Sequence, residues 1–167
     1  MKTTLGFFGA GKMAEGILAA AACQPGFDPQ TVLMAEKIPA RAQELAKRYH
    51  VRTTPDAKDV ARAARVIFLA VRPQDLAALA ADVKPLLTAK TLVVSIAAGK
   101  SLATLRKLLG TGVRLVRVMP NLALRAREGM CAICPRRTPP LRTSSASRKS
   151  STARGVPSCC PKSASTP

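Results

Sequence analysis

Short, nearly unbroken apolar runs recur along the first 120 residues, and stretches with helical spacing lie between them. The runs are Leu5 to Phe8, "TVLMA" (31–35), "RVIFLAV" (65–71), "TLVVSIAAG" (91–99) and "VRLVRVMPN" (113–121). A run that does not alternate with polar residues is the mark of a parallel strand covered on both faces. The intervening stretches read as helices over 12–23, 39–50, 73–87 and 101–110. Pro39 suits a first helical turn, and Leu45 and Ala46 share one side of that helix. Leu76, Leu79, Ala80 and Val83 recur at helical spacing in the third. Ser101 is placed to cap the fourth and Gly110 to stop it. A short strand near Val51 and a brief helix from Asp56 to Ala64 fill the remaining interval, and "QPGFDPQ" is a loop. Regular strand–helix alternation gives an α/β fold, and right-handed crossovers put helices on both faces of a doubly wound parallel sheet.

Composition sets where that fold should end. Apolar residues make up 47% of the 167 and aromatics only 3%, so the core has to be built from Ala, Leu, Val and Ile. The net charge of +18 is unevenly placed. The last carboxylate side chain is Glu128, and residues 136–167 carry 7 Lys/Arg and no acid. That stretch has no Ile, Phe, Met, Tyr or Trp, so it holds little to offset the entropy of ordering a chain. The expected organisation is a folded domain over 1–135 and a disordered Ser/Pro/Arg-rich tail over 136–167. A basic chain raises the prospect of nucleic acid, but the tail has no aromatic side chain for stacking and no reader motif, so nucleic acid is not the expected partner. No apolar stretch reaches the ~18 residues of a membrane span, and the expected location is the cytoplasm. Cys131 and Cys134 form C-x-x-C without the further ligands a zinc site requires, and read as small strand hydrophobes. No metal site is expected, and Cys159–Cys160 is given no role.

The first apolar run leads into "GFFGAGKMAEG" (6–16). Gly9-Ala10-Gly11-Lys12-Met13-Ala14 fits G-x-G-x-x-G/A between a strand and a helix. In that pattern Gly9 allows the tight turn, Gly11 leaves room for a pyrophosphate against the backbone, and Ala14 lets the helix pack closely on the sheet. The free N–H groups and positive end of the helix then face the phosphates. The fold expected is therefore Rossmann-like. At the end of the second run stands Glu36, where an acid can accept both ribose hydroxyls of NAD. Lys37 follows it and Arg41 is near, and these cations could hold the extra phosphate of NADP. The local residues leave NAD and NADP open.

Five stretches, in order, resemble the pyrroline-5-carboxylate reductase family: "GFFGAGKMAEGIL" (6–18), "VIFLAVRPQDL" (66–76), "VVSIAAGKSLATL" (93–105), "VRVMPN" (116–121) and "EGMCAICP" (128–135). The resemblance implies an oxidoreductase that reduces the cyclic imine 1-pyrroline-5-carboxylate to L-proline with NADPH or NADH, in proline biosynthesis. It favours NADP, with NAD as the alternative. It places Phe8, Gly9, Ala10, Gly11, Lys12 and Met13 along the pyrophosphate. Ala70, Val71, Arg72 and Pro73 would lie beside the ribose and nicotinamide, and Ala97, Ala98 and Gly99 on the nicotinamide side. Met119, Pro120 and Asn121 would close the reactive end. No side-chain catalyst is implied, because the cofactor supplies the hydride and the protein positions it. His50, the single histidine, sits at a helix end and reads as a surface residue.

The chain also departs from the family pattern. Lys12 stands where Asn or Gln is usual and Arg72 where Lys is usual. Ala57 or a neighbour falls where many members carry a cofactor-touching Asn. "LALRAR" (122–127) replaces the usual continuation of "MPN", yet the spacing to "EGM" is kept. That pattern, and the tail after Pro135, are what a shifted reading frame in a GC-rich coding sequence would leave. Family members continue into a helical domain that makes the dimer and the substrate-carboxylate site. On this reading the chain lacks that domain, so weak cofactor binding with little turnover is expected.

Overall fold

The computed structural model describes residues 4–120 and the strand at 131–134. The expectations that fall on residues 121–130 and 135–167, including Asn121, the altered patch and the tail, lie outside the described residues. The described elements are β1 (Leu5–Phe8), α1 (Lys12–Ala22), β2 (Val32–Ala35), α2 (Pro39–Tyr49), β3 (Arg52–Thr54), α3 (Ala57–Ala63), β4 (Val66–Leu69), α4 (Leu76–Val83), β5 (Leu92–Ser95), α5 (Leu102–Leu109), β6 (Arg114–Pro120) and β7 (Cys131–Cys134).

They form a sheet of order β3-β2-β1-β4-β5-β6-β7. The first six strands run parallel, and β7 joins antiparallel, with Val118 opposite Ile133. The expected doubly wound parallel sheet is borne out. The order reverses between β1 and β4, which pair with Phe8 opposite Leu69. A crevice opens beyond the carboxyl ends of the strands at such a reversal.

The sheet separates two cores. Phe8, Val60, Ile67, Leu69, Leu76, Val83, Leu105 and Leu109 are buried on one face, where α3, α4 and α5 pack. Phe7, Ala14, Leu18, Val32, Met34 and Leu45 are buried on the other, under α1 and α2. Phe7 stacks on Phe68 with ring centroids 5.2 Å apart. As composition demanded, most of the rest of the core is aliphatic.

Gly6 is what lets α3 settle onto β1. A Cβ there would lie 2.5 Å from Val60 Cγ1 and 2.7 Å from Ala64 Cβ. Ser101 caps α5 by accepting from the Thr104 N–H at 3.1 Å, and Gly110 ends it at φ +98. His50 follows α2 in the left-handed region at φ 56 and is exposed.

Several boundaries differ from the sequence reading, and two elements show why. The helix expected over 73–87 is α4 followed by a 3-10 turn, Lys84–Leu86. Pro85 has no N–H for an i→i−4 bond, so the chain tightens where the α-helix would have continued. Residues 73–75 instead form a turn in which Asp75 N–H donates to Arg72 C=O at 3.0 Å. Thr31, expected to open β2, belongs to a 3-10 turn with Asp28 as its cap. Its own hydroxyl donates to Asp28 C=O at 2.7 Å.

Candidate cofactor-binding site

The turn after β1 sits at the strand reversal, against the loop after β4. Gly9 has φ +89, and a Cβ on it would lie 3.0 Å from the Ala70 carbonyl oxygen and 3.2 Å from Val71 Cγ1. Both conformation and space therefore require glycine there. Ala14 is fully buried where α1 meets the sheet.

Gly11 is different. Its φ of −67 is open to any residue, and a Cβ would meet no atom of the described residues within 4 Å. Nothing in the packing asks for glycine at this position. Among the described residues the space above it is open, and no side chain caps the amino end of α1. A group approaching the backbone from the cleft is what a side chain would obstruct.

That cleft has a volume of about 360 Å³. It is lined by Gly11, Lys12 and Met13 from the turn, Ala70 to Pro73 from the loop after β4, Ile96 to Ala98 after β5, and Met119 and Pro120 at the end of β6. Lys12 and Arg72 are exposed at its wall and bring two positive charges to it. Behind it, buried Ser95 accepts from the Ala97 N–H at 3.3 Å and holds the turn after β5. A smaller cavity, about 240 Å³, lies at the opposite edge of the sheet beside Arg65 and Thr91, away from the glycine turn.

The structure thus brings together Gly11, Lys12, Met13, Ala70, Val71, Arg72, Pro73 and Ala97, which the sequence reading had grouped. Phe8 is not among the lining residues, because its ring is fully buried in the core. Gly9 and Ala10, in the turn itself, are not among the lining residues, and Ala10 is fully buried. Glu36 and Lys37 stand at the end of β2, beside the turn. The Glu36 carboxylate accepts from the Ala10 N–H at 3.2 Å and from the Ile38 N–H at 3.0 Å. Lys37 is exposed. Arg41 is not a free cation: Nε donates to Ala10 C=O at 3.1 Å, and Nη2 and Nη1 reach Glu15 and Glu44, both at 2.6 Å.

Sequence reading missed Ile96, Glu15 and the role of Arg41. Ile96 could have been placed from its neighbour Ala97. The Glu15–Arg41 pairing joins residues 26 apart and leaves no trace in spacing. Glu15 also accepts from Arg48 at 2.8 Å and from the Tyr49 hydroxyl at 3.2 Å. Burial works to raise the Glu15 pKa, but the hydrogen bonds from Arg41 and Arg48 and the Arg41 charge outweigh it, and the net result is below the ordinary carboxylate value. Burial, then the Glu15 charge beside it, pushes the Tyr49 hydroxyl up. Among the described residues no group of three or more His, Cys, Asp or Glu side chains could hold a metal, and no helix is long and apolar enough to cross a membrane.

Fold and cleft together define a doubly wound α/β domain of the dinucleotide-binding class. Residues 4–99 match the family described as NADP oxidoreductase, coenzyme F420-dependent, and the chain belongs to that family. Its relatives bear out the resemblance to pyrroline-5-carboxylate reductases. The chain is 32% identical over 131 residues to the Methanosarcina acetivorans pyrroline-5-carboxylate reductase, covering 78% of this chain and 48% of that one. It is 36% identical over 137 residues to the Synechocystis enzyme of the same name, covering 80% and 49%. The solved pyrroline-5-carboxylate reductase of Coxiella burnetii superposes with a TM-score of 0.74 at 29% identity, covering 80% of this chain and 49% of that one. The chain spans about half the length of the curated relatives it matches.

Proposed function

We propose that residues 1–135 form the cofactor-binding part of a cytoplasmic NAD(P)H-dependent imine oxidoreductase that reduces 1-pyrroline-5-carboxylate to L-proline. The observation that carries the reading is Gly11, a glycine required neither by backbone conformation nor by packing, at the uncapped end of α1 and on the wall of the cleft. A pyrophosphate against that backbone gives the missing reason for glycine. Lys12 and Arg72 add positive charge where the phosphates would lie.

When bound, the nicotinamide supplies the hydride. The chain's own work is to bind and orient. Ala70 to Pro73 and Ile96 to Ala98 would flank the ribose and nicotinamide, and Met119 and Pro120 would wall the reactive end. NADP is the favoured cofactor, supported by the family's description as NADP oxidoreductases and by exposed Lys37 beside the ribose end. NAD remains the alternative, supported by Glu36.

Fluorescence titration of the purified chain with NADPH and NADH tests binding, and imine-dependent NADPH oxidation tests turnover. Saturable binding of either dinucleotide supports the cofactor site. No binding, together with a strongly salt-dependent affinity for DNA, would overturn it in favour of a basic nucleic-acid-binding protein.

A further inference from the structure

Ala10 lies between the two glycines of the turn, and side chains from elsewhere hold both of its backbone polar groups. Its N–H donates to Glu36 at 3.2 Å, and its carbonyl accepts from Arg41 Nε at 3.1 Å. Arg41 is in turn fixed by Glu15 Oε2 and Glu44 Oε2, both at 2.6 Å. Glu15 is held from its other oxygen by Arg48 and Tyr49. The chain of bonds runs from α2 through α1 to the turn, and it ends on one peptide group.

That peptide matters because it is planar and trans. The Ala10 carbonyl and the Gly11 N–H belong to the same plane and point in opposite directions. Fixing the carbonyl toward Arg41 fixes the Gly11 N–H away from it. No backbone or side-chain acceptor is paired with that N–H among the described residues, and Gly11 lines the cleft.

We infer that Arg41 is a positioning residue for a dinucleotide pyrophosphate, acting through the Ala10–Gly11 peptide, with Glu15 holding Arg41 in place. This rests on the cofactor reading above. It also assigns Arg41 a task other than the direct 2′-phosphate contact its position in the sequence suggested. A guanidinium engaged at all three nitrogens is an orienting group for the turn.

The experiment measures dissociation constants of the full chain for NADPH, NADH and adenosine 2′-monophosphate, with Arg41→Met and Glu15→Gln as variants. Arg41→Met is expected to weaken NADPH and NADH by the same factor, about tenfold, the size of one lost charge-assisted orientation. The 2′-monophosphate, which has no pyrophosphate, should keep its affinity within about twofold, a margin below one hydrogen bond. Glu15→Gln should repeat the pattern at about threefold, since a neutral partner holds the guanidinium less firmly, and it serves as the test should Arg41→Met not fold. Loss confined to NADPH and the 2′-monophosphate would show a direct phosphate contact and overturn the inference. Equal loss of all three ligands would reduce Arg41 to a structural brace and overturn it too. A wild-type chain that binds neither dinucleotide overturns the cofactor reading and this inference with it, whereas unchanged variants beside a binding wild type overturn the inference alone.

Discussion

Gly9 approaches Ala70 so closely that a Cβ on the glycine would lie 3.0 Å from the Ala70 carbonyl oxygen. Two loops from opposite sides of the strand reversal meet at this point, and Gly9 has φ +89 besides. Gly11, two residues on, has an ordinary φ and open space. The two glycines should therefore respond differently to alanine. Gly9→Ala should lose about 1–3 kcal/mol of stability through backbone strain alone, with the contact to Ala70 adding to it. Gly11→Ala should leave urea unfolding within about 0.5 kcal/mol while weakening NADPH by tenfold or more, roughly the loss of one phosphate contact. Denaturation and titration of both variants check this. A Gly11→Ala chain that binds as wild type would remove the main support for the cofactor site.

Gly6 carries a packing prediction free of any ligand. A methyl there would meet Val60 and Ala64 of the α3 region at 2.5 and 2.7 Å. Gly6→Ala should cost about 1–3 kcal/mol, the range for overpacking a filled core. Val60→Ala removes the nearer obstacle, so the double variant should be less unstable than the two single losses summed. A coupling of about 0.5 kcal/mol or more in the double-mutant cycle is expected. Strict additivity would mean that α3 moves aside and Gly6 is not the fixed point of the packing.

The parts of this fold that sequence made legible are those written in local chemistry. The unbroken run "RVIFLAV" announced β4, Ser101 and Gly110 bracketed α5, and the glycine spacing placed the turn after β1. The loops of the cleft were legible as a set because each follows a parallel strand, and parallel strands deliver their carboxyl ends to one edge. Two things were not local. The shortening of α4 depended on Pro85 acting against a helical apolar pattern that continues past it. The Glu15–Arg41–Ala10 chain depends on how α1 and α2 lie side by side, which no spacing within either helix encodes. Phe8 shows the reverse: it belongs to the same quoted stretch as Gly11, Lys12 and Met13, but it ends a strand covered on both faces, so its ring is buried in one core as that of Phe7 is in the other.

Glu15 should give acid unfolding a recognisable signature. Its pKa is lowered in the folded chain, so the unfolded chain binds the proton more readily. The stability it contributes is therefore present above the unfolded carboxylate pKa and is lost as pH falls through the folded value. Stability measured by urea unfolding should fall as the pH drops from neutral into the acid range. Glu15→Gln should flatten that fall while lowering stability at neutral pH. A parallel pH profile in the variant would show that other carboxylates account for the whole effect.

Lys37 and Glu36 should set the choice between cofactors in opposite directions. Glu36 sits at the end of β2 with its carboxylate turned to two backbone N–H groups, at 3.2 and 3.0 Å, which hold it beside the turn. A fixed carboxylate there suits ribose hydroxyls and opposes a 2′-phosphate by like charge. Lys37 is exposed next to it and can supply the compensating cation, while Arg41 is engaged elsewhere. Lys37→Ala should weaken NADPH by about tenfold, the size of one charge-assisted hydrogen bond, and leave NADH unchanged. Glu36→Gln should do the opposite, favouring NADPH over NADH, because it removes the repulsion while its one amide oxygen still accepts from one of the two N–H groups that the two carboxylate oxygens hold. Titrating both dinucleotides against both variants gives a ratio in which any general loss of folding cancels. If Lys37→Ala lowers the two affinities equally, the 2′-phosphate does not reach Lys37 and the preference for NADP has to come from another residue.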